Sequence, residues 1–210
     1  MNAARITRRL LVPAVAAAAA AALVVPSGTS DAARPAAHMT GHTAARAGSV
    51  TVANMAFSPA AVSTSLGGSV TWTFKDPIAH TSTSDQGFWD SGTRSGGATY
   101  SHTFTSAGTY AYHCTIHSMM RGTVKVPLTA SGTASKGYKL TWATAKGAGG
   151  ITYDVQTRLG SGKWVSLRKA TTGTHAKLNP AKAGKYSVRA RTAKGGKRSG
   201  WSPTVTVTIS

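Results

Sequence analysis

Two alternating apolar runs joined by a short turn constrain this chain more than any other feature. Tyr110, Tyr112 and Cys114 share one parity, and Val124 and Val126 resume the alternation after the turn. Period-2 patterning marks strands with one buried face, so Cys114 should leave the end of a strand whose inner face is aromatic. The turn reads His113-Cys114-Thr115-Ile116-His117-Ser118-Met119-Met120-Arg121-Gly122, and it holds the only cysteine of the chain. A thiolate, an imidazole and a thioether on one loop form a soft donor set. Two His and one Cys in a trigonal plane with a weak axial Met is the blue-copper arrangement. The loop supplies three of those groups, so a distant histidine must supply the fourth. His80 fits, standing in the apolar-flanked turn Ile78-Ala79-His80-Thr81 after a strong strand. Taken singly, a lone Cys can be a buried small hydrophobe or a free thiol, and the methionines can be core filler. Those readings leave the common spacing unexplained.

Further stretches carry a resemblance: Phe57-Ser58-Pro59, Gly67-Gly68-Ser69-Val70-Thr71-Trp72, Phe88-Trp89-Asp90-Ser91-Gly92 and Gly108-Thr109-Tyr110-Ala111-Tyr112. With the ligand loop they make the segment from Ser49 to Val126 resemble a cupredoxin of the plastocyanin and amicyanin type. The short loop is most similar to that of amicyanin. The resemblance implies a Greek-key β-sandwich holding one type 1 copper, with His80, Cys114, His117 and Met120 as ligands. Met119 and Met120 differ by one place, so only one can face a metal, and the short-loop register aligns Met120. Two positions depart from the family pattern. Ile116 stands where Pro is frequent, and Thr81 follows the first histidine where Asn is frequent. Both bear on the groups around the ligands, which tune a metal site.

The N-terminus, residues 1–32, reads as a signal peptide. Arg5, Arg8 and Arg9 precede an apolar run from Leu10 to Val25, and Ser30-Asp31-Ala32 is a candidate cleavage site. The run is shorter than the ~20 residues of a spanning helix, so an uncleaved anchor is the lesser reading. Thr7-Arg8-Arg9-Leu10-Leu11 also resembles a twin-arginine signal, and the Sec route stays open. Residues 33–48 read as a flexible linker. It carries His38, Met39 and His42, which are solvated tether residues or transient copper binders.

Residues 49–126 form the first predicted domain and 127–210 a second. In the second, Tyr138, Leu140 and Trp142 alternate with polar residues, as do Ile151, Tyr153 and Val155, then Tyr186, Val188 and Ala190, then Val205, Val207 and Ile209. That spacing predicts an immunoglobulin-like sandwich. The Trp142 and Tyr186 strands and Gly200-Trp201-Ser202-Pro203 resemble a fibronectin type III domain, which would make Tyr186 its tyrosine-corner residue. The fold class is therefore all-β, two sandwiches in series. The junction has no Gly- or Ser-rich spacer, which predicts limited hinge freedom.

Charge separates the halves. The chain has 24 Lys and Arg against 5 acids. Residues 33–126 carry 6 basic and 3 acidic side chains, a net +3, whereas 127–210 carry 15 and 1, a net +14. Such a field speaks to partners rather than to fold. In an exported protein it suits anionic cell-wall polymer or acidic polysaccharide, and argues against nucleic acid in vivo. Arg158, Arg189 and Arg191 should point outward from one sheet, with Lys194, Lys197 and Arg198 crowding the adjoining loop; a diffusely solvated basic surface is the alternative.

The leading functional expectation is an exported carrier of single electrons, localised by the basic module. Its redox partner would dock near His117, on a small rim of Ile116, Ser118, Met119, Pro77 and Ile78. Copper sequestration or delivery uses the same ligands and is the alternative. An enzyme is not expected. A second copper beside His113 would need more histidines than His38, His42, His102 and His175 offer, and a chain without Glu has little for paired-carboxylate catalysis. A wall-associated protein with a vestigial copper domain conflicts with the intact ligand set.

Overall fold

The computed structural model describes residues 47–210. The signal-peptide segment and the linker histidines His38 and His42, with Met39, lie outside the described residues.

Every regular element described is a strand. The first eight are β1 (Gly48–Ala53), β2 (Ala56–Ser58), β3 (Ala61–Ser63), β4 (Ser69–Phe74), β5 (Thr83–Ser84), β6 (Thr99–Thr103), β7 (Gly108–His113) and β8 (Arg121–Val126). They form two four-stranded sheets, ordered β2-β1-β4-β6 and β3-β8-β7-β5. Each sheet contains one parallel pair, β1 with β4 and β3 with β8. Sequence parity decides what lies between the sheets. Val70, Trp72 and Phe74 from β4 meet Tyr110 and Tyr112 from β7 and Val124 and Val126 from β8, all buried. Full burial of each such aliphatic or Phe side chain contributes roughly 1.5–3 kcal/mol.

Tyr112 is the hub of this core. Its ring lies 4.7 Å from Phe57, 5.5 Å from Trp72 and 5.9 Å from Trp89. Its cross-strand partner is Gly122. A Cβ there would run into the Tyr112 ring, and the surrounding rings leave Tyr112 nowhere to go. Gly122→Ala should therefore cost about 1–3 kcal/mol by overpacking, read as a lowered denaturant midpoint at unchanged slope.

The remaining strands are β9 (Thr129–Thr133), β10 (Gly137–Thr141), β11 (Ile151–Leu159), β12 (Val165–Thr171), β13 (His175–Leu178), β14 (Gly184–Lys194), β15 (Lys197–Arg198) and β16 (Val205–Ile209). One sheet has the order β13-β10-β9; the other has β12-β11-β14-β15, with β16 also on β14. Leu140, Trp142, Tyr153, Val155, Val188, Ala190, Val207 and Ile209 are buried in the second core. Tyr186 donates its hydroxyl back to the Lys182 carbonyl, four residues upstream, at 2.9 Å.

The two sandwiches meet along a hydrogen-bonded seam, and the described residues fall in one compact unit. Ala107 N–H donates to the Trp142 carbonyl at 2.8 Å and Thr144 N–H to the Thr105 carbonyl at 2.8 Å. Thr109 and Gly200 exchange both backbone bonds, at 3.0 and 2.8 Å. Ala107 itself is buried in the second core. Beneath lies a buried hydroxyl cluster: Tyr110 OH is 2.8 Å from the Ser106 carbonyl and 3.1 Å from Thr192 Oγ1. Backbone pairing on this scale opposes hinge motion.

Burial pushes the Tyr110 hydroxyl up to about 12 from its ordinary 10. A folded-state value above the unfolded one gives stability that is complete below pH ~10 and lost as pH rises towards ~12. Tyr110→Phe should start about 1 kcal/mol less stable for its lost hydrogen bonds, yet fall off less steeply between pH 10 and 12. Denaturant unfolding at stepped pH measures both effects.

Candidate metal centre

The loop between β7 and β8 closes on itself. Cys114 N–H donates to the Met120 carbonyl at 3.1 Å, and Met120 N–H to the His117 carbonyl at 3.0 Å. Those bonds set the direction of each side chain. Cys114 and Met120 turn inward, with Met120 only 2 % exposed, while Met119 is 74 % exposed. His80 arrives from the β4–β5 connection, where it exchanges backbone bonds with Arg94 at 2.8 Å each way. Its side chain is fully buried.

Three donors converge at this end of the sandwich. His80 Nδ1 and His117 Nδ1 are 3.1 Å apart, and Cys114 Sγ is 3.7 Å from His117 Nδ1. Among the described residues, these three form the one cluster of His, Cys or carboxylate donors dense enough to hold a metal, all within 4.8 Å of one another.

The surroundings fix which atoms face inward. His80 Nε2 lies 2.9 Å from Asp76 Oδ2. Asp76 also accepts Asn54 N–H at 2.9 Å and Met55 N–H at 3.2 Å. Asn54 and Met55 are consecutive left-handed residues, with φ of 52° and 55°, in the tight turn between β1 and β2. The Asn54 amide bond is the chief reason that Asp76 titrates below the ordinary carboxylate value. An ionised Asp76 demands the proton on Nε2, which leaves the Nδ1 lone pair of His80 turned toward the cluster. Thr81 ties the two ligand-bearing segments together. Its N–H donates to Cys114 Sγ at 3.3 Å, and its hydroxyl oxygen accepts Thr115 N–H at 2.9 Å. The N–H bond fixes the sulfur as an acceptor on the side of Thr81.

The structure thus brings together His80, Cys114 and His117, and it buries Met120 in the same apolar cluster as Cys114. His113 faces the other side of its strand and pairs with Asp85 at 2.6 Å. His102 stacks on Trp89 at 5.2 Å, and burial lowers its pKa. Ile78 and Ile116 are exposed alongside Met119. Sequence reasoning missed Asp76. Its signal was an acid four places before the histidine, in a chain with 5 acids.

Two imidazole nitrogens and a hydrogen-bonded sulfur at these separations fit copper's preference for mixed N and S donors. A β-sandwich holding such a donor set at one end defines a cupredoxin. Residues 44–127 match the family model of copper binding proteins, plastocyanin/azurin family. Among solved structures, an amicyanin variant in its reduced Cu(I) form at pH 4 is 34% identical, over 38% of this chain and 81% of that one, with a TM-score of 0.37. An oxidised amicyanin variant gives the same figures, 34% identity, 38% and 81% coverage and a TM-score of 0.37. A purple cupredoxin from Nitrosopumilus maritimus is 24% identical over 38% of this chain and 98% of that one, with a TM-score of 0.36. No curated protein matches the chain. The chain therefore carries a cupredoxin domain of the plastocyanin/azurin family over residues 44–127, whose cofactor is one copper.

Asp76→Ala should weaken copper binding about 10–100-fold, the usual effect of removing an outer partner of a ligand histidine. Competition with a chromogenic chelator measures it.

Proposed function

We propose that this chain is an exported type 1 copper protein that carries single electrons. The observation that supports it most is the convergence of Cys114 Sγ, His117 Nδ1 and His80 Nδ1, at 3.7 and 3.1 Å, within a braced sandwich. In this reading His80, Cys114, His117 and Met120 would hold the copper. Bound there, copper supplies a one-electron Cu(II)/Cu(I) couple.

The chain's own residues do the rest. Asp76 holds the His80 tautomer, and the Thr81 N–H stabilises charge on Cys114 Sγ. Thr81 Oγ1 and the Cys114–Met120 backbone bond keep the loop from relaxing between oxidation states. Cys114 is 1 % exposed, which denies water a place beside the sulfur. His117 is the half-buried ligand and serves as the port for the electron. The exposed Ile78, Ile116 and Met119 around it make a small apolar rim of the kind that weak redox encounters use. The second sandwich is read as fibronectin type III-like, which its pairing of a three-stranded with a five-stranded antiparallel sheet and the Tyr186 back-bond support. Export rests on the N-terminal sequence pattern.

The purified protein loaded with one equivalent of Cu(II) should show an intense visible thiolate-to-copper band that bleaches on one-electron reduction. Cys114→Ala should lose the band entirely; a colourless Cu(II) complex of the parent protein would overturn the reading. Met120→Gln should shift the reduction potential strongly, while Met119→Gln should leave spectrum and potential near the parent and slow only exchange with a partner. Cyclic voltammetry and absorption spectra of the two variants separate the roles.

A further inference from the structure

The outer face of the second sandwich carries a stack of guanidinium groups and indoles. On β11 and β14 the outward residues lie in register, Asp154 with Arg191, Gln156 with Arg189 and Arg158 with Ser187. The Arg158 and Arg189 guanidiniums lie 4.6 and 4.0 Å from the Trp164 ring centroid. Those of Arg189 and Arg191 lie 4.5 and 4.4 Å from that of Trp201. Cation–π contact of this kind offsets part of the repulsion between neighbouring cations. It uses the flat faces of the guanidiniums and leaves their in-plane N–H edges for acceptors.

Lys194 does not join this face. It shares the inward parity of Val188 and Ala190, and its Nζ donates to the Gly87 carbonyl of the first sandwich at 3.0 Å. The adjoining cations are Arg198 and Lys169, which line a hollow of about 170 Å³ with Asp154, Gln156, Ser166, Arg191 and Trp201.

Acceptors already on the face show what it takes. Asp154 binds Arg191 Nε at 2.9 Å and lies 3.7 Å from Arg198 Nε. Gln156 Oε1 receives both Nε and Nη2 of Arg189, at 3.1 and 2.7 Å. Both acceptors are planar sp² oxygens. Asp154 is the only acid of residues 127–210, against 15 bases. Arg158 Nε is buried without a partner. Cations are thus held in a row by aromatic contacts, with too few internal anions to neutralise them. Nucleic-acid readers need open aromatic faces on which bases stack; here each indole already carries two guanidiniums.

We infer that this face is a binding site for a linear acidic polysaccharide, whose carboxylates pair with the in-plane edges of Arg158, Arg189 and Arg191. A row of cations fits a chain that repeats its negative charge: Arg189 and Arg191 lie two places, about 7 Å, apart along β14, and Arg158 continues the row from the neighbouring strand, opposite Ser187. The arginines are only half-buried, so the contact weakens as salt shortens the ~8 Å screening length of physiological ionic strength.

The full-length, copper-loaded protein is titrated with polygalacturonate, neutral dextran and single-stranded DNA at a series of salt concentrations. Polygalacturonate should bind at low salt and dextran should not. The triple variant Arg158→Gln, Arg189→Gln, Arg191→Gln should lose about tenfold in affinity or more. A charge-matched control on the opposite sheet, Lys136→Gln, Lys139→Gln, Lys177→Gln, should lose less than about twofold. The copper band and the unfolding midpoint report whether each variant is folded. Should the triple variant fail to fold, Arg158→Gln alone, whose guanidinium stacks only on Trp164, should still weaken binding about twofold to threefold. Equal losses in the two triple variants, no binding of polygalacturonate at low salt, or tighter binding of single-stranded DNA through the same arginines would each overturn the assignment.

Discussion

The parity of β7 is the constraint on which the rest of the molecule depends. Tyr110 and Tyr112 sit on one face of β7, and Cys114 continues that spacing just past its last residue. Tyr112 organises the aromatic core, Cys114 delivers sulfur to the metal end, and Tyr110 enters the seam with the second sandwich. Core, cofactor site and inter-sandwich contact are therefore positioned by a single extended segment, and a shift of one residue in register would move all three to the wrong side. Gly122 locks that register, since only a residue without a side chain can lie across from Tyr112.

The metal end solves a problem of pre-assembly. Two imidazole nitrogens and a sulfur, all electron-rich, are held at close quarters by bonds made elsewhere. Asp76 orients one imidazole from behind, Thr81 grips the sulfur and the ligand loop, and the Cys114–Met120 backbone bond closes the loop. Two of these braces act away from the donor atoms, on the far ring nitrogen of His80 and on the loop backbone, while the Thr81 N–H bonds the sulfur itself. Thr81, where the family pattern often has Asn, supplies both a backbone donor and a side-chain acceptor.

Much of this was legible in the sequence because chemistry and period coincide there. A Cys, a His and a Met spaced along one turn can be read without coordinates, and the alternating strands placed the core. His80 was found by the company it keeps. Asp76 was not, because its role depends on the β1–β2 turn lying beside the β4–β5 connection, a long-range juxtaposition that no local pattern encodes. The outward arginines of β11 and β14 were readable from parity, but the indoles between them come from Trp164 and Trp201, on loops whose path follows only from the fold. Lys194 was grouped with that face, and its inward parity, at the last residue of β14, sends it to Gly87 instead.

The buried hydroxyl cluster at the seam bears on inheritance rather than on chemistry. Ser106 and Thr192, from opposite sandwiches and both buried, bond each other and Tyr110. A gene cut at Pro127 would hand each product half of that cluster, together with a bared patch that once closed on Ala107 or Trp142. The halves resemble separable modules on paper, yet shuffling either one into a new neighbour would require a compensating set of hydroxyls on the recipient. The pair, and not the single sandwich, is the piece that can be moved intact.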